Sequence, residues 1–283
     1  MPDFIRTDVQ GRVAHLVLDR PRKLNAMNNQ LLDEFSAALA DLGRDPDVSV
    51  IVITGDERSF SVGFDVDPGG GDSDAADGLE SYLDWESLRR NIERWLQIWD
   101  TPKPVLSAIE GYCMGGATML AVCTDVTVVS EDAVIGWPSL PLGGGLLSPT
   151  TAWLVGPKKA KELSFIAGSS LSGTEAAALG WANYAVPAGS ALARADELAH
   201  QVAKMPLDLL RLKKRALNRH LDQQGFREAI LQGAEWDALA HTAHGTKVMT
   251  AKVETLGLKG AIAWFRSDAN TGDYSAEPTG ATA

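Results

Sequence analysis

The chain has 283 residues, 45 % of them apolar and 22 % charged, which suits one sizeable domain, or a domain with a helical appendage. A formal net charge of −11 argues against a nucleic-acid partner, because phosphate binding needs clustered Lys and Arg. It leaves open a small phosphorylated ligand held by a few local cations and backbone amides. The two cysteines, Cys113 and Cys123, lie in an apolar stretch and read as reduced core thiols, so a cytoplasmic setting is expected. The N-terminal segment MPDFIRTDVQ carries early acidic residues and no long apolar run, so no signal peptide is expected. No run reaches the ~18 apolar residues of a membrane span.

In chain order, residues 13–18 (VAHLVL) predict a buried strand ended by Asp19-Arg20-Pro21. From position 28 to about 42, Leu31, Leu32, Phe35, Ala38, Leu39 and Leu42 fall at helical spacing with one wet face. Residues 48–53 form a continuous buried-strand run, typical of a strand covered on both sides. The segment 69–78 (GGGDSDAADG) is too polar and flexible to pack. A helix is predicted over 79–99, with Trp95 and Trp99 on one face toward the core, and Thr101-Pro102-Lys103-Pro104 stops it.

Next come a strand at 105–109, a glycine-bearing turn at 111–116, a helix at 117–123 and a strand at 126–129. Such alternation points to α/β crossovers in one sheet. Beyond residue 157 the pattern is mostly helical, and Ser172 with Glu175 fits a capping box. Residues 190–266 read as amphipathic helices and 267–283 as a disordered tail. The expected organisation is a core over 1–195, a helical region over 196–266, and the tail.

Two turns carry the chemistry. One is Ser59-Phe60-Ser61-Val62-Gly63-Phe64-Asp65 and the other Gly111-Tyr112-Cys113-Met114-Gly115-Gly116, each following a strand. Both place backbone amides at a strand's carboxyl end, where open α/β sheets bind ligands. Gly115-Gly116 also open a helix, whose first amides are unpaired and favour negative charge. Two such amides on one oxygen make an oxyanion hole. Each glycine taken alone equally serves a tight turn.

Four stretches in register, RPRKLNAMN (20–28), FSVGFDV (60–66), IEGYCMGGATMLAVCTDV (109–126) and SGTEAAALGWANYAVP (172–187), resemble the crotonase superfamily, the enoyl-CoA hydratase/isomerase family. The resemblance runs from about residue 4 to 266. It implies an α/β fold with a crotonase-like (ββα) spiral core and a helical C-terminal trimerisation region, as a homotrimer or a hexamer built as a dimer of trimers. It also implies a bent acyl-CoA as ligand, with no cofactor apart from the coenzyme A of the substrate. Carried over by position, the oxyanion hole would be the amides of Phe64 and Gly116. Val62 would bond the adenine through its backbone, and Arg22 and Leu24 would line the nucleotide end. Asp65 matches an acid of the family's turn, read here as a cap for the following helix.

The sequence departs from the family at its proton handlers. The two glutamates that activate water in the hydratases correspond here to Met119 and Ser139, and 140–148 (LPLGGGLLS) holds no carboxylate to replace them. A methionine transfers no proton, and a lone serine hydroxyl is too weak an acid or base. Hydration by the usual route is therefore expected to be weak or absent. Asp65, Asp67, Glu86, Glu110 and Tyr112 are the nearest substitutes. Glu110 reads first as a hydrogen-bonded loop residue, and Tyr112 and Trp137 as pocket walls. Trp137 and Trp153 either border the acyl group or pack in the core. His15, His200, His220, His241 and His244 receive no role. Two functions compete: an acyl-CoA enzyme that stabilises a thioester oxyanion or enolate with non-standard proton transfer, and a catalytically silent acyl-CoA carrier or sensor.

Overall fold

The computed structural model describes residues 3–65, 80–137, 140–142 and 151–274. In chain order the elements are β1 (Ile5–Gln10), β2 (Val13–Leu18), α1 (Asn29–Arg44), β3 (Val50–Thr54), β4 (Ser59–Ser61), α2 (Glu80–Asp100), β5 (Val105–Ile109), β6 (Tyr112–Met114), α3 (Gly116–Val122), β7 (Val126–Ser130) and β8 (Val134–Gly136). They continue as α4 (Thr151–Val155), α5 (Pro157–Phe165), β9 (Ser170–Ser172), α6 (Gly173–Leu179), β10 (Tyr184–Val186), α7 (Ala191–Val202), α8 (Leu207–Gln223), α9 (Phe226–Thr242) and α10 (His244–Phe265).

Two sheets organise the core. The larger has the order β1-β2-β3-β5-β7-β10, with β1 antiparallel to β2 and the rest parallel. The smaller has the order β4-β6-β8-β9, parallel except at β9. The pairs β3–β4, β5–β6 and β7–β8 each give one strand to each sheet, so the chain winds as a spiral. This is the α/β crossover pattern expected, but the strands divide between two sheets rather than one, and the three-residue strands β4, β8, β9 and β10 are too short to show a period in the sequence. The turn predicted over 111–116 contains β6, and an edge strand, β1, precedes the first predicted strand.

Alternation along the parallel strands divides the core. On β3, Ile51 and Ile53 face the main cluster with α1 and α2, while Val50 and Val52 face α7. Helix α7 meets the sheet through Ala191, Ala195 and Ala199, all fully buried. Alanines at i, i+4 and i+8 make a flat stripe that lets the helix lie close. The expected boundary at 195/196 thus falls inside a helix that packs on the core. Helix α1 starts at the Asn28 cap, whose side chain accepts from the Leu31 amide, and it buries the predicted Leu31, Leu32, Phe35, Leu39 and Leu42. Ser172 and Glu175 form the predicted capping box at α6.

Helix α8 is pinned to the core by a buried cation. Lys214 of α8 pairs with Asp125 at 2.7 Å and donates to the carbonyls of Ile98 and Lys103, both at 3.1 Å. Helix α10 is broken at Gly257, which takes φ +68°. Of the expected tail, Tyr274 packs against the small cluster around Met249 and Ala261, and 275–283 lie outside the described residues.

Candidate active site

The first turn is built by the segment that precedes α1. Leu24 and Asn25 adopt left-handed φ of 51° and 56°, a costly conformation that only surrounding bonds sustain. Asn25 is fully buried; its Nδ2 donates to the Ser59 carbonyl at 2.8 Å and its Oδ1 accepts from the Arg20 amide at 2.8 Å. Arg20 also donates to Asp65 Oδ2 at 2.6 Å and to the Ala26 carbonyl at 2.9 Å. The Arg20–Asp65 pair is shielded, with side chains 14 % and 7 % exposed. Asp65 therefore anchors the turn to residues 20–26; its expected role as a helix cap falls on 66–79, outside the described residues.

These contacts use up the turn's amides one by one. Val62 N–H donates to the Leu24 carbonyl at 3.2 Å, Gly63 N–H to Ser61 Oγ at 3.1 Å, and Asp65 N–H to the Met27 carbonyl at 3.1 Å. Phe64 N–H finds no acceptor among the described residues. In the second turn, Gly115 N–H donates to the Gly136 carbonyl at 2.9 Å, and the first amides of α3, Gly116 and Ala117, find none there either.

The two turns touch. Gly63 has φ +91°, and a Cβ on it would meet the Met114 carbonyl oxygen at 2.7 Å and the Gly116 nitrogen at 3.2 Å. A Cβ on Gly116 would meet Phe64 Cε2 at 2.6 Å. Only glycine allows this approach. The Phe64 ring lies over Gly116 and 6.2 Å from the ring of Trp95, which in turn sits 6.2 Å from Phe35. Helix α2 is thus a wall of the same site.

The remaining predicted residues take varied places. Met119, one turn into α3, is half-buried against the main core with Phe64, Trp85 and Leu88. Trp137 is 6 % exposed at the end of β8; Ser139 and Asp67 lie outside the described residues. Leu24 and Val62 are half-buried, and Arg22 is exposed beside them. Tyr112, expected as a pocket wall, is 45 % exposed, and Glu86 is exposed on α2. Trp95 and Trp99 are core, as expected, whereas Trp153 is 41 % exposed and edge-on to Phe226. Both cysteines are free and buried, and burial pushes their thiols up. No group of His, Cys, Asp and Glu among the described residues is arranged to hold a metal.

Glu110 has a structural task. Its carboxylate accepts from Gly189 N–H at 3.0 Å and Ala191 N–H at 2.7 Å, at the start of α7, where Ser190 makes no side-chain cap. A carboxylate at a helix N-terminus satisfies orphan amides and opposes the dipole. Glu110→Ala is expected to lower stability by about 1–2 kcal/mol in a denaturant titration. Sequence reading missed the ties made by Arg20 and Asn25, although both lie in the segment 20–28. It also missed His241, whose hydrogen-bond partner Asp84 comes from another helix.

A two-sheet ββα spiral with glycine turns meeting at its strand ends defines a crotonase-like protein. The family model described as enoyl-CoA hydratase/isomerase matches residues 8–259. A Rhizobium meliloti protein named "Probable enoyl-CoA hydratase" is 32 % identical over 225 residues, 78 % of this chain and 83 % of that one. Among solved structures, a probable enoyl-CoA hydratase from Mycobacterium thermoresistibile is 36 % identical with a TM-score of 0.77, covering 87 % of this chain and 97 % of that one. An enoyl-CoA hydratase/isomerase from Xanthobacter autotrophicus is 28 % identical with a TM-score of 0.81, covering 94 % and 98 %. The chain belongs to the enoyl-CoA hydratase/isomerase family.

Proposed function

We propose that this family member is an acyl-CoA enzyme that draws electron density onto a thioester oxygen held by the amides of Phe64 and Gly116. The observation that carries this reading is the contact between two turns in which the amides of Val62, Gly63, Asp65 and Gly115 are engaged while those of Phe64 and Gly116 find no acceptor among the described residues. A thioester carbonyl placed there gains most as its oxygen becomes negative, in an enolate or a tetrahedral adduct. Each preorganised donor of this kind is worth about 3–4 kcal/mol in the transition state.

The same reading assigns the ligand's other end. Val62 has spent its N–H on Leu24, which leaves its carbonyl to accept from an adenine amino group. The exposed Arg22 guanidinium suits nucleotide phosphates, with Leu24 beside it. Trp137 borders the acyl group. Coenzyme A arrives as part of the substrate, and the reaction class is a lyase or isomerase step. Met119 and Ser139 stand where the family's water-activating glutamates would, so proton transfer runs through another group or the substrate itself. Exposed Leu209, Leu212, Leu217, Trp236 and Leu239 on α8 and α9 suit a surface covered by other subunits in a trimer or hexamer. The buried free thiols suit a reducing, cytoplasmic setting. No helix among the described residues is long and apolar enough to cross a membrane.

A panel of saturated, 2-enoyl, malonyl-type and aromatic acyl-CoAs, assayed for binding and turnover, tests the proposal. The expected result is turnover of at least one class, with crotonyl-CoA hydration slow. Binding across the panel without any turnover would overturn the enzyme and leave a carrier.

A further inference from the structure

Helix α2 is held unequally along its length. In its second half, Trp95 is buried against Phe35 and Phe64, and Trp99 stacks on Phe226 at 4.4 Å and donates to Asp222. Gln97 donates to the Ser36 carbonyl, Arg94 pairs with Asp33, and Asp100 pairs with Arg227. The first half is barer: positions 81–83, 86, 87 and 90 are all exposed. Among the described residues, one side-chain hydrogen bond ties 81–90 to another element. It joins Asp84 Oδ2 to Nδ1 of His241 on α9, at 2.8 Å. The other imidazole nitrogen faces Asp237, one turn back on α9, with Nε2 3.8 Å from Oδ1. That carboxylate oxygen is closed to solvent and has no hydrogen-bond donor among the described residues.

We propose that His241 is a positioning residue which, when protonated, clamps the first half of α2 against α9 between Asp84 and Asp237 and so sets the acyl end of the site. The link to the acyl end rests on the reading given under Proposed function. Trp85 and Leu88, next to Asp84 and one turn beyond it, pack half-buried on the same core as Phe64 and Met119. Moving this half of α2 moves that apolar lining. The nucleotide end, at Arg22, Leu24 and Val62, belongs to other segments.

The charge state decides the clamp because only the imidazolium has two N–H donors, one for each carboxylate. Neutral imidazole leaves two carboxylates facing one donor. The charged groups acting on His241 are Asp84 from α2 and Asp237 from its own helix. From α10, packed on α9, Thr246 bonds the Ala240 carbonyl. The Asp84 hydrogen bond, opposed by burial, raises the imidazole above its ordinary range. Burial raises Asp237 from 3.8 to about 6. A raised histidine stabilises the clamp below its unfolded pKa and stops doing so as pH climbs through the folded value. Asp237 must be ionised to accept from the imidazolium, and with its carboxyl held up by burial at about 6 it is mostly charged above that value, where the histidine sets the direction. The clamp therefore loosens with rising pH.

The test uses the full chain and two readouts. Octanoyl-CoA and free coenzyme A are titrated by calorimetry between about pH 6 and pH 9, and hydrogen-exchange protection factors are measured for the amides of 81–90. The expected result is that octanoyl-CoA affinity falls about tenfold, and protection with it, while free coenzyme A follows one curve in all variants. His241→Asn keeps a neutral donor and should sit at the weak level throughout; His241→Lys keeps a cation and should restore tight binding at the alkaline end. Protection unchanged by pH and by His241→Asn would overturn the clamp. Protection that responds while octanoyl-CoA affinity does not would overturn its positioning role. If octanoyl-CoA binds at no pH, the acyl-CoA reading fails, and exchange alone decides the clamp.

Discussion

Met119→Glu combined with Ser139→Glu is expected to raise crotonyl-CoA hydration at least a hundredfold above the parent chain. The parent lacks a carboxylate at both positions, and positioned acid–base groups contribute roughly 10²–10⁴-fold. Met119 is well placed for the change. It stands three residues beyond Gly116 on the short helix α3, half-buried on the same core that Phe64 packs against. A carboxylate there loses some hydration, which raises its pKa toward the range useful for catalysis at neutral pH. The gain should need both glutamates, because one holds the water that the other deprotonates. Met119→Gln with Ser139→Gln, which adds hydrogen bonding without proton transfer, should gain little. The check is the loss of enoyl-thioester absorbance under steady-state conditions, beside a circular dichroism control. A folded, acyl-CoA-binding double variant with no gain would mean that the site has been placed on the wrong residues.

Replacing the Phe64 amide by an ester, through the α-hydroxy analogue of phenylalanine, should cut turnover by about 10²–10³-fold, or about 3–4 kcal/mol of transition-state stabilisation. The change deletes one N–H and keeps the ring against Gly116. Stability should fall little, because that N–H has no acceptor within the described chain. A small loss is expected from the Gly63 carbonyl, a weaker acceptor as an ester, to which Met27 N–H donates at 2.8 Å. An ester at Asp65 is the matched control: its N–H bonds the Met27 carbonyl, so stability should fall more and turnover less. Gly116→Pro removes the other donor but brings side-chain atoms to where a Cβ lies 2.6 Å from the Phe64 ring. Loss of activity in that variant counts only if the chain still folds.

Much of the fold was legible because the long elements carry strong periodicity. The apolar stripe from Leu31 to Leu42 and the buried runs of β3 and β5 lie in the structure where the sequence puts them. Strand β6 was hidden because three residues between glycines have no period to read. Strand β1 was hidden because five of its six residues are exposed, so IRTDVQ lacks an inner face. The site was legible where the chemistry is local. The glycines of both turns and the segment 20–28 stand in the sequence, and the contact between Gly63 and Gly116 follows from the spiral. What could not be read was partnership across distance. Glu110 meets the start of α7 about eighty residues on, and Asp84 meets His241 at a separation of 157. No local pattern encodes either pairing. The left-handed backbone at Leu24 was likewise invisible, since leucine gives no sign of favouring it.

A crystal structure of the chain with a slowly reacting acyl-CoA bears most directly on the main idea. The thioester oxygen is predicted within about 3 Å of both the Phe64 and Gly116 nitrogens, along the N–H directions, with the acyl chain running under α2. An oxygen lying elsewhere, or protein atoms filling the space between the two nitrogens when ligand is bound, would contradict it.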